Sequence, residues 1–262
     1  METVAKLQAK KGREKITMLT AYSAAQAALL NSTAIDTLLV GDSLGTVFQG
    51  KTDTISVTLE EMIYHGSVVR RGAPDKFIIV DLPFMSYQID TTESLRNAGE
   101  IMKRTGANAV KLESASEVVL GSIRRMTAAG IPVVGHLGFT PQSVNNLSGY
   151  KVQGKDDTSA AKIKTDAQAL EQAGVFMLVL EMTTAQLAQE ITAELKIPTI
   201  GIGAGADCDG QVLVIDDMLG IYPRAPKFVK RYAELDSQIT KAVNNYITEV
   251  KSGKFPTAEY SF

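Results

Sequence analysis

The sequence lacks the features that define several classes of protein. One cysteine, Cys208, among 262 residues excludes an intramolecular disulfide framework and leaves no second thiolate for a zinc site, so a reducing, cytoplasmic setting is expected. No apolar run approaches the roughly 18 residues of a membrane helix, and the polar N-terminus lacks the apolar segment of a secretory signal. With 27 Lys and Arg against 29 Asp and Glu, no nucleic-acid partner is expected, and no membrane partner either.

Eight apolar runs of strand length recur along the chain. They span residues 16–22, 37–42, 77–83, 108–113, 131–138, 176–181, 197–205 and 211–216. The runs are short, β-branched and nearly continuous in apolar character, which is typical of parallel strands covered on both faces. Most of the intervals between them have the composition of helices, and residues 228–253 predict the longest helix.

This alternation predicts an α/β fold, a (β/α)₈ TIM barrel. We expect a single domain over residues 1–262 with a long C-terminal helix, because the chain has the length and apolar content for one barrel-sized core. A doubly wound open sheet is the main alternative. The interval between the seventh and eighth runs is too short for a full helix, so that unit should be irregular.

Four of the apolar runs lead directly into a carboxylate. The acids are Asp42, Asp81, Glu113 and Glu181. An acid is a poor continuation of a buried strand, because burying an unpaired charge costs several kcal/mol. In a barrel the carboxyl ends of the strands meet at one face, where active sites lie. The four acids therefore predict one shared site rather than four separate helix caps or salt bridges.

Three of these acids follow adjacent strands. Asp42, Asp81 and Glu113 end the second, third and fourth runs, and three neighbouring carboxylates repel one another unless a cation lies between them. Carboxylate oxygens are the natural ligands of Mg²⁺. Lys111 lies two residues before Glu113, so both side chains point to the same side of their strand. We predict a Mg²⁺ site at the three acids with a buried lysine beside it.

Other candidate residues are less specific. Glu181 follows the sixth run, where an apolar setting would raise its pKa toward that of a general base, although a helix-entry acid is the alternative. His136, at the end of the fifth run, is equally compatible with a catalytic and a structural role, whereas His65 lies mid-helix and is predicted to be structural. Residues 201–207 lack the helix and acid that follow a dinucleotide loop, so we predict a turn whose backbone approaches a ligand.

Longer motifs make the chain similar to a known family. They are LVGDSLG (39–45), VRRGAPDKFIIVDLPFMSYQ (69–88), VKLE (110–113), GHLGFTPQSV (135–144), GYKVQG (149–154), LVLE (178–181), IPTIGIGAG (197–205), CDGQVLV (208–214) and PKFVKRY (226–232). From about residue 15 to the C-terminus, the chain closely resembles the ketopantoate hydroxymethyltransferase family of pantothenate synthesis.

The chain also departs from the family pattern at several places. Ser23 stands where the family often has Asp, Ser114-Ala115 where it often has Gly-Gly, and Met182-Thr183-Thr184 where Cys-Val-Pro is common. The family's closing His-Ser-Phe reads Tyr260-Ser261-Phe262. None of these changes removes an inferred catalytic group.

The resemblance implies a barrel of the phosphoenolpyruvate/pyruvate type. It implies transfer of a hydroxymethyl group from 5,10-methylenetetrahydrofolate to 3-methyl-2-oxobutanoate, through a Mg²⁺-stabilised enolate, to give 2-dehydropantoate. It implies Mg²⁺ binding by Asp42, Asp81 and Glu113, and Glu181 as the general base. It implies substrate binding by Asp42, Ser43, Asp81 and Lys111. A homodecamer is the assembly that the resemblance implies.

Two other functions are compatible with the pattern of residues. One is a Mg²⁺-dependent 2-oxo acid lyase or mutase of the same barrel type, which should not require tetrahydrofolate. The other is a catalytically silent barrel that serves as a binding or assembly protein. A silent barrel should lack one of the four acids or Lys111, and this chain has them all.

Overall fold

Eight parallel strands close into a barrel in the computed structural model, which describes residues 1–147, 149 and 151–262. The strands are β1 Ile16–Thr20, β2 Thr37–Val40, β3 Phe77–Asp81, β4 Ala109–Glu113, β5 Val133–Gly138, β6 Met177–Glu181, β7 Thr199–Ile202 and β8 Gly210–Leu213. Each strand pairs with the next along the chain, and β8 pairs with β1. The predicted (β/α)₈ barrel is confirmed, and the open sheet is wrong.

Helices occupy most of the intervals between the strands. They are α1 Val4–Ala9, α2 Ala24–Asn31, α3 Leu44–Val47, α4 Leu59–Gly72, α5 Thr91–Thr105, α6 Glu117–Ala128, α7 Asp157–Ala173, α8 Ala185–Glu194, α9 Ile215–Met218 and α10 Leu235–Lys251. As predicted, the described residues between β7 and β8 contain no helix. The sequence did not predict α1, α3 or α9, because they are too short to show a helical period.

Local signals in the sequence explain where the longer helices begin and end. Helix α4 starts with a capping box, in which Thr58 and Glu61 each accept a hydrogen bond from the other's backbone N–H. Helix α5 starts at Asp90, whose carboxylate accepts from two backbone N–H groups, and it ends at Gly106 with φ 71°. Glycine adopts this left-handed conformation without strain. These caps fix the residues at which the helices between the strands begin and end.

The register of the strands brings the charged residues to one level of the barrel. Asp81 of β3 pairs with Lys111 of β4, and Glu113 of β4 pairs with His136 of β5. Glu181 is the last residue of β6. Because all strands are parallel, these residues lie at the same carboxyl-end face, where barrel active sites are built.

The chain divides into two compact units, Met1–Val214 and Ile215–Phe262. The first contains all eight strands, and the second contains α9 and α10. Helix α10 has no buried residue. Its exposed apolar side chains are Ile239, Val243, Tyr246, Ile247 and Val250. The single domain over 1–262 stays a prediction. None of the helices in the described ranges is long and apolar enough to cross a membrane.

Candidate active site

Three acids and a lysine are buried together at the ends of β2, β3 and β4. Asp42, Asp81, Lys111 and Glu113 are each at most 4% exposed. The Oδ2 atom of Asp81 lies 3.1 Å from Nζ of Lys111 and accepts a hydrogen bond from the backbone N–H of Asp42 at 3.2 Å. The structure therefore brings together the residues that the sequence placed on three adjacent strands. We refer to Asp42, Asp81 and Glu113 as the acid cluster.

The imidazole of His136 connects the acid cluster to Glu181. Its Nδ1 atom lies 3.2 Å from Oε1 of Glu113 and 3.3 Å from Nζ of Lys111. Its Nε2 atom lies 3.3 Å from Oε2 of Glu181. One ring nitrogen therefore faces Glu113 and Lys111, and the other faces Glu181. The location of His136 favours the catalytic-site role that the sequence left open.

Burial and crowding make the acid cluster difficult to ionise. Burial, together with repulsion from Glu113, raises the pKa of Asp42 to about 6. Burial raises the pKa of Asp81 and of Glu113 to about 7, although Lys111 acts in the opposite direction on both. For Lys111, burial disfavours the charged form, but attraction to the acids outweighs it and raises the pKa of the amine. One ammonium therefore leaves the cluster with excess negative charge when all three acids are ionised.

Glu181 lies in a different environment from the acid cluster. Its side chain is 16% exposed, so a substrate can reach it. Burial raises the pKa of Glu181, and the contact with His136 opposes this rise. Burial and the charge of Lys111 lower the pKa of His136, so the imidazole beside Glu181 is neutral. An accessible carboxylate with a raised pKa has the properties of a general base.

The acid cluster can be tested for its fit to a divalent cation. No group of three or more His, Cys, Asp or Glu side chains in the described part of the chain is arranged to hold a metal by itself. However, Oδ1 of Asp81 and Oε1 of Glu113 are buried without a hydrogen bond, and a hard cation would satisfy such oxygens. Mg²⁺ often uses one or two carboxylates and completes its octahedron with water and substrate oxygens. The cluster fits Mg²⁺ bound in this shared way.

Tyr87, which the sequence did not indicate as a site residue, forms hydrogen bonds with Glu113 of the acid cluster and with Gln142. Tyr87 is buried, and its hydroxyl accepts a hydrogen bond from the backbone N–H of Glu113 at 3.1 Å and donates to Oε1 of Gln142 at 2.6 Å. Burial and the charge of Glu113 raise the pKa of Tyr87 well above its usual value, so the hydroxyl keeps its proton. Tyr87 and Gln142 lie in the motifs 69–88 and 135–144, just beyond strands that carry an acid or a histidine, but nothing in the sequence marked either one as a site residue.

Ser43 is held by a second tyrosine. The hydroxyls of Tyr22 and Ser43 lie 2.8 Å apart, and the backbone oxygen of Tyr22 lies 2.7 Å from Nδ1 of His65. His65 is buried within α4, where its ring fixes the segment after β1 rather than reaching the acid cluster. The contact between His65 and Tyr22 agrees with the structural role predicted for His65. Tyr22 in turn is the hydrogen-bond partner that orients the Ser43 hydroxyl.

Two non-glycine residues adopt left-handed backbone conformations directly after site acids. Ser114 follows Glu113 with φ 80°, and Met182 follows Glu181 with φ 46°. Such conformations cost of order 1–3 kcal/mol each and persist where the surrounding structure demands them. Here they turn the chain sharply after each acid. Both residues occupy the left-handed region that glycine adopts more readily than other residues.

Replacing Ser114 with glycine should stabilise the protein. Glycine adopts φ 80° without a Cβ clash, and the relief of strain exceeds the entropy lost on folding, for a net gain of about 0.5–1 kcal/mol. The measurement is the thermal midpoint Tm of each variant at one protein concentration. Ser32→Gly is the matched control, because Ser32 has φ −80° and should gain nothing. An unchanged or lower Tm for Ser114→Gly would show that the relief of strain does not exceed the loss of the hydrogen bond that the Ser114 hydroxyl accepts from the backbone N–H of Ser116.

Glycines allow the backbone to approach closely beside Glu181. Gly138, at φ 96°, lies so near the backbone oxygen of Glu181 that an added Cβ would be 2.1 Å from it. In the glycine-rich stretch 201–207, Gly203 and Gly205 have positive φ, and no helix follows β7 before β8 among the residues described there; the approach of this backbone to a ligand stays a prediction. Of the motif at 149–154, Tyr150 lies outside the described residues.

The fold and the buried groups define a class of protein. A closed barrel of eight parallel strands, with acids, a lysine and a histidine gathered at the carboxyl ends of the strands, is the architecture of a (β/α)₈-barrel enzyme. Comparison with solved structures agrees on the fold. Phosphoenolpyruvate phosphomutase from Streptomyces platensis subsp. rosaceus superposes with a TM-score of 0.64 at 13% identity, over 96% of this chain and 88% of that one.

Comparison of sequences identifies the family. The sequence model of ketopantoate hydroxymethyltransferase matches residues 1–258. The 3-methyl-2-oxobutanoate hydroxymethyltransferase of Syntrophus aciditrophicus is 56% identical, over 97% of this chain and 93% of the relative. That of Leptospira interrogans is 52% identical, over 97% and 96%. The chain belongs to the ketopantoate hydroxymethyltransferase family and is an enzyme that acts on 3-methyl-2-oxobutanoate.

Proposed function

We propose that the enzyme transfers a hydroxymethyl group from 5,10-methylenetetrahydrofolate to 3-methyl-2-oxobutanoate, giving 2-dehydropantoate for pantothenate synthesis. The observation that carries this proposal is the separation of two kinds of acid by His136. On one side Lys111 and the acid cluster form a charged recess with unsatisfied oxygens. On the other side lies Glu181, whose pKa is raised by burial and whose carboxylate contacts the opposite ring nitrogen of His136. With a divalent cation to offset the excess negative charge, the recess would suit the carboxylate and keto oxygens of a 2-oxo acid, and Glu181 suits its acidic C–H bond.

The residues of the site divide the work of the reaction. Lys111 offsets the negative charge of the substrate carboxylate, and the Ser43 hydroxyl donates a hydrogen bond to it. Glu181 removes the proton on C3, and its raised pKa lets it hold that proton until the carbon–carbon bond forms. The resulting enolate carbon attacks the methylene carbon of the folate iminium. Water then replaces the folate nitrogen on this carbon: a C–O bond forms, the C–N bond breaks, and the proton released from water goes to the nitrogen of the departing tetrahydrofolate.

We propose that Asp42 and Asp81 bind Mg²⁺, with Glu113 as a third ligand. When bound, Mg²⁺ supplies Lewis-acid polarisation of the keto group, which makes the C3 proton more acidic. The acids orient the ion, because Asp81 is held by Lys111 and by the backbone of Asp42. The carboxylate oxygens and their negative charge support a hard divalent cation at this position.

Product analysis tests the proposed reaction. The enzyme is incubated with 3-methyl-2-oxobutanoate, with and without 5,10-methylenetetrahydrofolate and Mg²⁺, and the products are separated by mass. We expect 2-dehydropantoate only when both are present. Turnover of the 2-oxo acid without folate would instead favour a lyase or mutase. A preparation that binds the 2-oxo acid and never turns it over would favour a silent barrel.

Binding of Mg²⁺ should weaken sharply on acidification. The pKa of about 7 for Asp81 and for Glu113 means that both acids are mostly ionised at pH 8 and mostly protonated at pH 6, where the ion must displace protons. We expect the Kd to rise about 10- to 100-fold between these values, measured by calorimetry with Mg²⁺ alone. Asp81→Asn should bind more weakly and show a shallower dependence on pH. Equal affinity at pH 6 and pH 8 would contradict ligation by these acids.

We further propose that the enzyme is a homo-oligomer in the cytoplasm, with the homodecamer that the family resemblance implies as the specific assembly. The apolar side chains exposed along α10 support self-association, because surfaces of this kind are usually covered by another chain. The single buried cysteine supports a reducing compartment. Sedimentation velocity measures the assembly, and a monomer at micromolar concentration would contradict it.

A further inference from the structure

Gln142 lies at the start of the segment that follows β5, in a short 3₁₀ turn, Pro141–Ser143. Its backbone N–H donates to Oε2 of Glu113 at 3.1 Å. Its side-chain Nε2 donates to Oδ2 of Asp42 at 2.9 Å and to the backbone oxygen of Leu82 at 3.0 Å. One uncharged residue therefore contacts two members of the acid cluster, one through its backbone and the other through its side chain.

The orientation of the Gln142 amide is fixed by its neighbours. The hydroxyl oxygen of Tyr87 accepts the backbone N–H of Glu113, so its own proton is directed at Oε1 of Gln142 at 2.6 Å. The side chain of Gln88 donates to the same oxygen at 3.2 Å. With Oε1 committed as the acceptor, the opposite end of the amide must present N–H groups to Asp42.

We propose that Gln142 is a positioning residue for the acid cluster. Its amide holds one oxygen of Asp42 and leaves the other for a cation or a substrate group, and its backbone holds Glu113 in the same frame. The inference rests on the proposed function, because it assumes that the cluster binds a divalent cation. Tyr87 acts through Gln142, since its hydroxyl sets which way the amide faces.

Loss of the Gln142 amide would leave buried hydrogen-bond acceptors without a donor, which is unfavourable. Gln142 is 4% exposed, so no water replaces its amide if the side chain loses its polar end. The carboxylate of Asp42 and the carbonyl of Leu82 would each lose a buried donor. The Asp42 side chain would then rotate toward another hydrogen-bond partner. A carboxylate that has moved from its binding position holds a metal ion more weakly. Hydrogen bonds behind metal ligands typically contribute 10- to 100-fold to metal affinity.

The test measures metal affinity without substrate. Metal-free enzyme is titrated with Mn²⁺ alone in a calorimeter, and Tm is recorded for every variant. We expect Gln142→Met, which keeps the length of the side chain, to raise the Kd for Mn²⁺ about 10- to 100-fold. Tyr87→Phe should raise it less, in the same direction. Gln168→Met is the control, because it makes the same substitution at an exposed residue of α7 whose amide donates to Glu194 and contacts neither Gln142 nor the acid cluster, and its Kd should match the wild type.

The outcomes separate a positioning role from a purely structural one. A structural role predicts a lower Tm with an unchanged Kd for Gln142→Met, and that result overturns the inference while leaving the proposed function intact. If Gln142→Met does not fold, Tyr87→Phe decides: a raised Kd supports the inference and an unchanged Kd overturns it. A wild-type enzyme that binds no Mn²⁺ overturns the proposed metal site, and the inference with it.

The kinetics give a second readout for the same variants. With Gln142→Met we expect the Mg²⁺ concentration for half-maximal activity to rise by about the same factor as the Kd. At saturating Mg²⁺ the kcat should recover most of its value, because Glu181 does not contact Gln142. A kcat that stays low at every Mg²⁺ concentration, with a normal half-saturation point, would argue against positioning of the metal acids.

Discussion

Replacement of Glu181 by glutamine should slow exchange of the C3 proton of 3-methyl-2-oxobutanoate by about 10²- to 10⁴-fold. The amide is close in size to the carboxylate but cannot accept the proton. The other acids cannot take over, because they lie on the other side of His136 and are paired with Lys111 or with the backbone and side-chain N–H groups of Gln142. The measurement is loss of the C3 proton signal in deuterated water, followed by NMR with Mg²⁺ and without folate.

Two controls make the result for Glu181 specific. Glu194→Gln changes an exposed acid at the end of α8, where it accepts a hydrogen bond from Gln168, and exchange should continue at the wild-type rate. Binding of the 2-oxo acid to Glu181→Gln in the presence of Mg²⁺ should remain, because Lys111 and Ser43 are unchanged. Exchange at the wild-type rate in Glu181→Gln would exclude Glu181 as the base.

The barrel could be predicted from the sequence because its strands are uniform and short. Each of the eight β-strands is an apolar run, and a helix or a loop separates it from the next strand. The capping box of Thr58 and Glu61 marks the start of helix α4. Asp90 and Gly106 cap the two ends of helix α5. The brief helices α1 and α3 could not be predicted, because a helix of one turn has no period to detect. Helix α10 begins at Leu235 rather than at 228.

The charged members of the site could be predicted because a charge inside an apolar run is conspicuous. Asp81, Lys111 and Glu113 interrupt strands whose every residue is buried. Gln142 and Tyr87 could not be found in this way, because an uncharged polar residue in a loop is common. The contact from Gln142 to Asp42 joins residues 100 positions apart. Only the closed barrel brings the segment after β5, which carries Gln142, next to Asp42 at the end of β2.

The role of His136 also depended on the three-dimensional structure. A histidine at a strand end is compatible with either a structural or a catalytic role, and its neighbours in the sequence do not decide. In the folded chain, Glu113 and Lys111 on one side and Glu181 on the other lie within 3.3 Å of its ring nitrogens. The sequence separated Glu181 from the acid cluster by strand position, and the imidazole is the group that occupies the space between them.

Replacement of Lys111 by methionine should destabilise the metal-free protein by about 3–5 kcal/mol, because it leaves buried carboxylates without their counter-charge. For a chain of this size the loss corresponds to a fall in Tm of about 6–20 °C. Methionine fills a similar volume, so the change tests charge rather than packing. The measurement is Tm in a chelating buffer at pH 8, at one protein concentration. Lys164→Met, which removes an exposed ion pair with Glu190, should have little effect.

The effect of Lys111→Met should depend on pH in a definite direction. Lys111 lowers the pKa of Asp81 and of Glu113, so its loss raises both values further above those of the unfolded chain, which are about 4. A folded state that binds more protons than the unfolded state loses stability as the pH rises through that interval. The deficit relative to wild type should therefore be large at pH 8 and small at pH 5, where the acids are protonated. Added Mg²⁺ should recover part of it at pH 8, since the ion supplies the missing positive charge. An equal deficit at both pH values would mean that Lys111 stabilises the barrel through packing and that the acid cluster does not need its charge.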